Sequence, residues 1–151
     1  MDWFPFVLFA HVLAAMVAVG ANLTYVAWLR LAGHDRTRLS FAISGVRYLD
    51  RRLALPAYAV LIVSGLAMTI SGRVSFTQLW LEIGFGLYVG LTYIAIMVFS
   101  PALRRLLAAA ETDPRGEAYA REAKFVRLLF IISIGLLLAI VALMVIKPAF
   151  A

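Results

Sequence analysis

Four long apolar runs constrain this chain more than any other feature. They are Phe4 to Leu29, Leu53 to Ile70, Leu79 to Phe99 and Leu128 to Ile146. A helix rises about 1.5 Å per residue, so roughly 20 residues cross a hydrocarbon core of about 30 Å. Each run meets that length once tilt is allowed. A water-soluble domain would space its apolar residues with helix or strand period and carry about a quarter charged residues. Here 64% of 151 residues are hydrophobic and 15% are charged. The first run follows Asp2 and Trp3 where a cleaved leader has a basic start, and it exceeds a leader's apolar core. It is expected to be a retained span.

The charges locate the loops. Arg30, Arg36, Arg38, Arg47, Arg51 and Arg52 lie between the first and second runs. Arg104, Arg105, Arg115, Arg121, Lys124 and Arg127 lie between the third and fourth, which leaves Arg73 and Lys147 on the other side. Basic loops stay in the cytoplasm, so both termini are expected outside. The formal charge of +6 is then explained by anionic headgroups of the lipid bilayer, and no nucleic acid is needed. The chain has no cysteine, which excludes disulfides and thiolate chemistry.

The expected fold is all-α: a single domain, residues 1–151, forming a four-helix transmembrane bundle with up-down-up-down order. The short segment Ser71 to Gln78 makes its neighbours antiparallel. Leu39 to Arg52 reads as a cytoplasmic lead into the second helix. Asp113 and Pro114 read as the cap and first position of the fourth helix, with Glu117 near its positive end. Ser100-Pro101 removes a backbone donor and should bend the third helix. Gly86 and Gly90 form a G-x-x-x-G, with Gly20/Thr24 and Ser64/Met68 as weaker small-residue pairs. Packing within the bundle is the expected role, and a homo-oligomer or membrane-complex interface is the other.

His11 carries the most chemical information. It lies about 10 Å below the outer end of the first span by helical rise. An ionisable group at that depth faces the bundle interior. Ala14, Ala15, Ala18, Asn22 and Tyr25 share its helical face, which is small and polar. Two readings stand: a histidine hydrogen-bonded to a neighbouring helix, or a neutral imidazole ligating haem iron, copper or zinc. Glu82 is the acidic residue of the spans, near the same outer face. It is either a headgroup-level carboxylate or a proton acceptor and partner of His11. Arg73 and Lys147 are candidates to neutralise it or to hold a propionate. His34, beside Asp35 and Arg36, reads as a solvated loop residue on the opposite side from His11. Met16, Met68, Met97 and Met144 read as packing. No nucleotide-binding glycine loop, Ser-His-Asp set or H-E-x-x-H occurs.

The segment Phe9-Ala10-His11-Val12-Leu13-Ala14-Ala15-Met16, in a span ending Trp28-Leu29-Arg30, resembles the first helix of the HemJ-type protoporphyrinogen oxidases. So do Val46 to Met68, VRYLDRRLALPAYAVLIVSGLAM, and the Lys147-Pro148 finish. CopD-like copper-resistance membrane domains share similar features. The Asp50 to Gly65 pattern looks closer still to a bacterial family of predicted integral membrane proteins with no assigned function. The HemJ resemblance implies four helices, haem b held by His11 and oxidation of a porphyrinogen; the expected location is the bacterial inner membrane, and Asn22 and Glu82 are further cofactor-site candidates by their own positions in the spans. The third span departs from that pattern. Trp80 is followed by Leu81-Glu82-Ile83-Gly84-Phe85, without the family's lysine, so the implied activity reduces to haem binding. The alternatives are a cofactor-free small transporter or accessory subunit of a membrane complex, and copper handling at His11.

Overall fold

The computed structural model describes residues 2–33, 35–72 and 77–148. His34 and Arg73 therefore lie outside the described residues. Helices α1 (Phe4–Ala32), α2 (Arg36–Leu49), α3 (Leu55–Ile70), α4 (Leu79–Tyr93), α5 (Ser100–Thr112) and α6 (Glu117–Ile146) account for nearly all of them. A π-helical turn, Asp50–Ala54, joins α2 to α3, and another, Ile94–Phe99, joins α4 to α5. The described residues thus form four rods and no strand, each rod long and apolar enough to cross a membrane.

Two prolines explain the π turns. Pro56 and Pro101 have no N–H to give the preceding turn, and their rings crowd its carbonyls. The backbone widens just before each one. The Leu55 N–H reaches the Asp50 carbonyl, and the Ser100 N–H reaches the Ala95 carbonyl, both five residues back. The expected bend at Ser100-Pro101 is therefore absorbed by a turn of π helix, and the rod continues to Thr112.

The last rod starts later than expected. α6 begins at Glu117 behind the extended residue Gly116, not at Pro114. The Asp113 carboxylate is used locally, accepting the Arg115 N–H at 3.0 Å, and so stabilises a turn in place of a helix cap. Glu117 does lie in the first turn of α6. At the other basic loop, Gly33 turns the chain with φ 61° and Asp35 caps α2 by accepting the Arg38 N–H at 2.8 Å.

Packing is uneven along the bundle. Leu39, Ile43 and Val46 of α2, Leu103 and Leu106 of α5, and Val126 and Phe130 of α6 are all essentially inaccessible. These residues sit toward the end that carries the basic loops. Tyr25 joins them there, stacked on Phe99 at 6.2 Å and tilted against Phe130 at 5.7 Å. Toward the end that carries the termini, the rods pair instead: α1 packs on α3, and α4 packs on α6. The Tyr88 hydroxyl donates to the Tyr58 carbonyl and ties the two pairs together.

The small residues divide by use. Ser64 and Met68 are buried. Gly84 is in tight contact, because a Cβ there would lie 2.8 Å from Met144 Cε. Gly86 is exposed, and a Cβ at Gly86, Gly90 or Gly20 would meet nothing within 4 Å. The G-x-x-x-G of α4 therefore seats no helix of this bundle, contrary to the expectation from spacing.

Candidate functional site

The seam between α1 and α3 gathers most of the polar side chains singled out in the sequence. Ala14, Ala18, Ala21, Asn22 and Tyr25 are the buried residues along α1, so the small, polar face does turn inward. Alanines let α3 approach closely, and α3 answers with its own small residues, Ser64 and Gly65.

His11 is half-buried and reaches across this seam. Its Nδ1 lies 2.8 Å from Ser64 Oγ. The Ser64 hydroxyl has one hydrogen, and it is directed back at the Val60 carbonyl, with Leu61 O at 3.3 Å as a longer second acceptor. With the hydroxyl hydrogen on Val60, the Ser64 oxygen accepts and His11 Nδ1 donates; in the other tautomer Ser64 donates to Nδ1. In the first tautomer Nε2 keeps a lone pair that can take a proton or a metal ion. Gly65 makes room for the ring. A Cβ at that position would stand 3.3 Å from His11 Cε1.

Asn22 lies two to three turns deeper. Its side-chain amide donates to the Ala18 carbonyl and to Tyr58 Oη, both at 2.9 Å. Both donors are thus satisfied in a buried position, as low-dielectric surroundings require. Asn22 binds α1 to α3 and makes no contact with His11.

Glu82 is placed apart from both. It is exposed in the first turn of α4, and among the described residues its carboxylate makes no hydrogen bond or ion pair. Its helix packs on α6, where Lys147 sits 5.8 Å from the centroid of the Trp80 ring. The fold therefore brings His11 and Asn22 to one seam and leaves Glu82 on the other pair of helices. Among the described residues no three His, Cys, Asp or Glu side chains gather as metal ligands.

Sequence reasoning passed over Asp50, which it placed in a basic lead. In the fold it is buried, 4% exposed, and Ser100 Oγ donates to its Oδ2 at 3.3 Å. A signal was available: a lone acidic residue flanked by Arg47, Arg51 and Arg52, six positions before a proline inside a helix.

No curated protein and no solved structure matches the chain. A family model does, over residues 5–148, which spans all four rods but for Phe4. The chain belongs to the DUF2269 family of predicted integral membrane proteins.

Proposed function

We propose that this protein binds a b-type haem in the bacterial inner membrane through His11 Nε2 and acts as a redox protein, with both basic loops in the cytoplasm. One observation carries the reading: His11 Nδ1 lies 2.8 Å from the Ser64 hydroxyl, a contact that fixes the ring and, with Nδ1 as the donor, leaves Nε2 to ligate. A hydrogen bond from the non-ligating nitrogen is how ligand histidines are oriented and made more basic. The donor set fits one axial ligand of a haem. Gly65 fits the same role by allowing the ring against α3. Bound haem would supply one-electron chemistry. The residues of this chain bind it, orient it and keep its surroundings apolar. Asn22 acts by holding α1 on α3, and Glu82 lies away from the ligand. Copper fits less well, since among the described residues no second histidine stands beside His11 and the chain has no cysteine.

The test is a visible spectrum of protein purified from membranes supplied with haem. A Soret band is expected in the wild type and absent in His11→Ala. Folded wild-type protein without that band overturns the proposal. A second reading has its own support: His11–Ser64 and Asn22–Tyr58 form two polar stations along one seam. They suit a small cofactor-free transporter, for which substrate-dependent flux in proteoliposomes without any absorbing cofactor is the expected result.

A further inference from the structure

Asp50 stands outside both readings, since neither uses a group at the basic-loop end of the bundle. Leaving water costs a carboxylate several kcal/mol unless a cation or a proton neutralises it. Arg51 favours the ionised form electrostatically, but among the described residues no cation is in direct contact with the carboxylate. Among the described residues Asp50 forms no ion pair, and its one hydrogen bond comes from Ser100 at a long 3.3 Å. Three guanidinium-bearing residues are nevertheless close. Arg47, Arg51 and Arg104 line, with Ser100 and Leu103, a crevice of about 10 Å³ beside the carboxyl. That is space for about one water molecule. Arg51 and Arg104 are exposed.

A second group is also unsatisfied. Tyr25 has no exposed surface, and its hydroxyl has no hydrogen-bond partner, although it lies within electrostatic reach of Asp50 and Tyr58. An orphaned buried hydroxyl is costly, so it calls for a partner. The backbone converges on the same point. Asp50 opens one π turn, and Ser100 directly follows the other. Such turns are rare and concentrate at functional sites.

We propose that the Asp50 carboxyl, with the hydroxyls of Ser100 and Tyr25, is a proton-binding site that exchanges with water through the arginine-lined crevice. A proton from crevice water binds the free carboxyl oxygen, while Ser100 keeps donating to the other. Neutral Asp50 then gains a donor of its own and no longer needs a counter-ion. The groups facing it are Arg47 of α2, Arg51 of its own turn, Tyr25 of α1, Tyr58 of α3 and Arg104 of α5. From α6 the neighbour of Tyr25 is the apolar Phe130. The arginines favour release of the proton and burial favours retention, which is the balance a reversible site needs.

Infrared spectroscopy of the purified full-length protein, labelled with carboxyl-¹³C aspartate, tests this directly. The expected result is an isotope-shifted C=O band of a protonated carboxyl at pH 5, lost as the pH rises through about 6, the value to which burial raises Asp50. Asp2, Asp35 and Asp113 are exposed. The triple variant Asp2→Asn/Asp35→Asn/Asp113→Asn should keep the whole band, and Asp50→Asn should lose it. Tyr25→Phe should shift its frequency. If Asp50→Asn fails to fold, the labelled triple variant still decides the matter. A wild type whose aspartates are all ionised at pH 5, or a band that the triple variant loses, overturns the proposal. An unshifted band in Tyr25→Phe removes Tyr25 from the site. Neither outcome depends on whether haem is bound.

Discussion

His11 can lie against α3 because residue 65 has no side chain. A Cβ on Gly65 would press on the imidazole at 3.3 Å, and the larger valine must displace the ring. Gly65→Val is therefore expected to weaken haem retention about tenfold, since overpacking of this kind costs on the order of 1–3 kcal/mol. Haem titration followed at the Soret band measures it. Glu82 provides the contrast. It is exposed and unbonded on the other helix pair, so Glu82→Gln should leave haem affinity unchanged in the same titration. A substantial loss would place Glu82 at the cofactor after all. The inward direction of His11 was legible from the alanines that share its face. The partner was not, because which residue of another helix sits opposite depends on how the two helices cross. The same holds for Glu82, whose depth matches His11 while its helix packs elsewhere.

At the scale of elements, the rods are apolar all round within the spans and amphipathic beyond them. Inside lipid there is no hydrophobic gain from helix contact, so small residues and hydrogen bonds decide how the helices pack. Beyond the spans, α2, α5 and the start of α6 bury leucine, isoleucine and valine as a soluble bundle does. Stability should accordingly be concentrated there. Leu106→Ala, at a site 1% exposed, is expected to cost about 2–5 kcal/mol, whereas Ile131→Ala, 64% exposed toward lipid, should change stability by less than about 0.5 kcal/mol. Unfolding in mixed detergent micelles would show the difference. The ion pair Arg105–Glu122, 3.2 Å long and half exposed on the arginine, joins α5 to α6. A double-mutant cycle on it should return less than about 1 kcal/mol. A larger coupling would mean that this loop end is drier than its exposure implies. The two π turns were only half legible: proline marks the place, but whether the backbone kinks, breaks or widens depends on what the neighbouring rods allow.

For the whole molecule, the four rods place both basic loops at one end and both termini at the other. If the basic end is cytoplasmic, alkaline phosphatase fused to the C-terminus should be active, and a fusion within the α5–α6 loop inactive. The reverse pattern would invert the orientation. Hydropathy and length by themselves determined the four spans, because a bilayer leaves a long apolar run few alternatives to a helix that satisfies its own backbone. Charge position likewise determined which loops share an end. The tertiary structure alone decided the rest. It joined His11 to Ser64, left Gly86 and Gly90 without an internal partner, and buried Asp50 between two π turns that are distant in sequence. The physical reason is the same in each case. Span formation is a property of one segment and its solvent, whereas the partner of a polar side chain is set by the register and crossing of helices 50 or more residues apart, as in the 53-residue separation of His11 and Ser64.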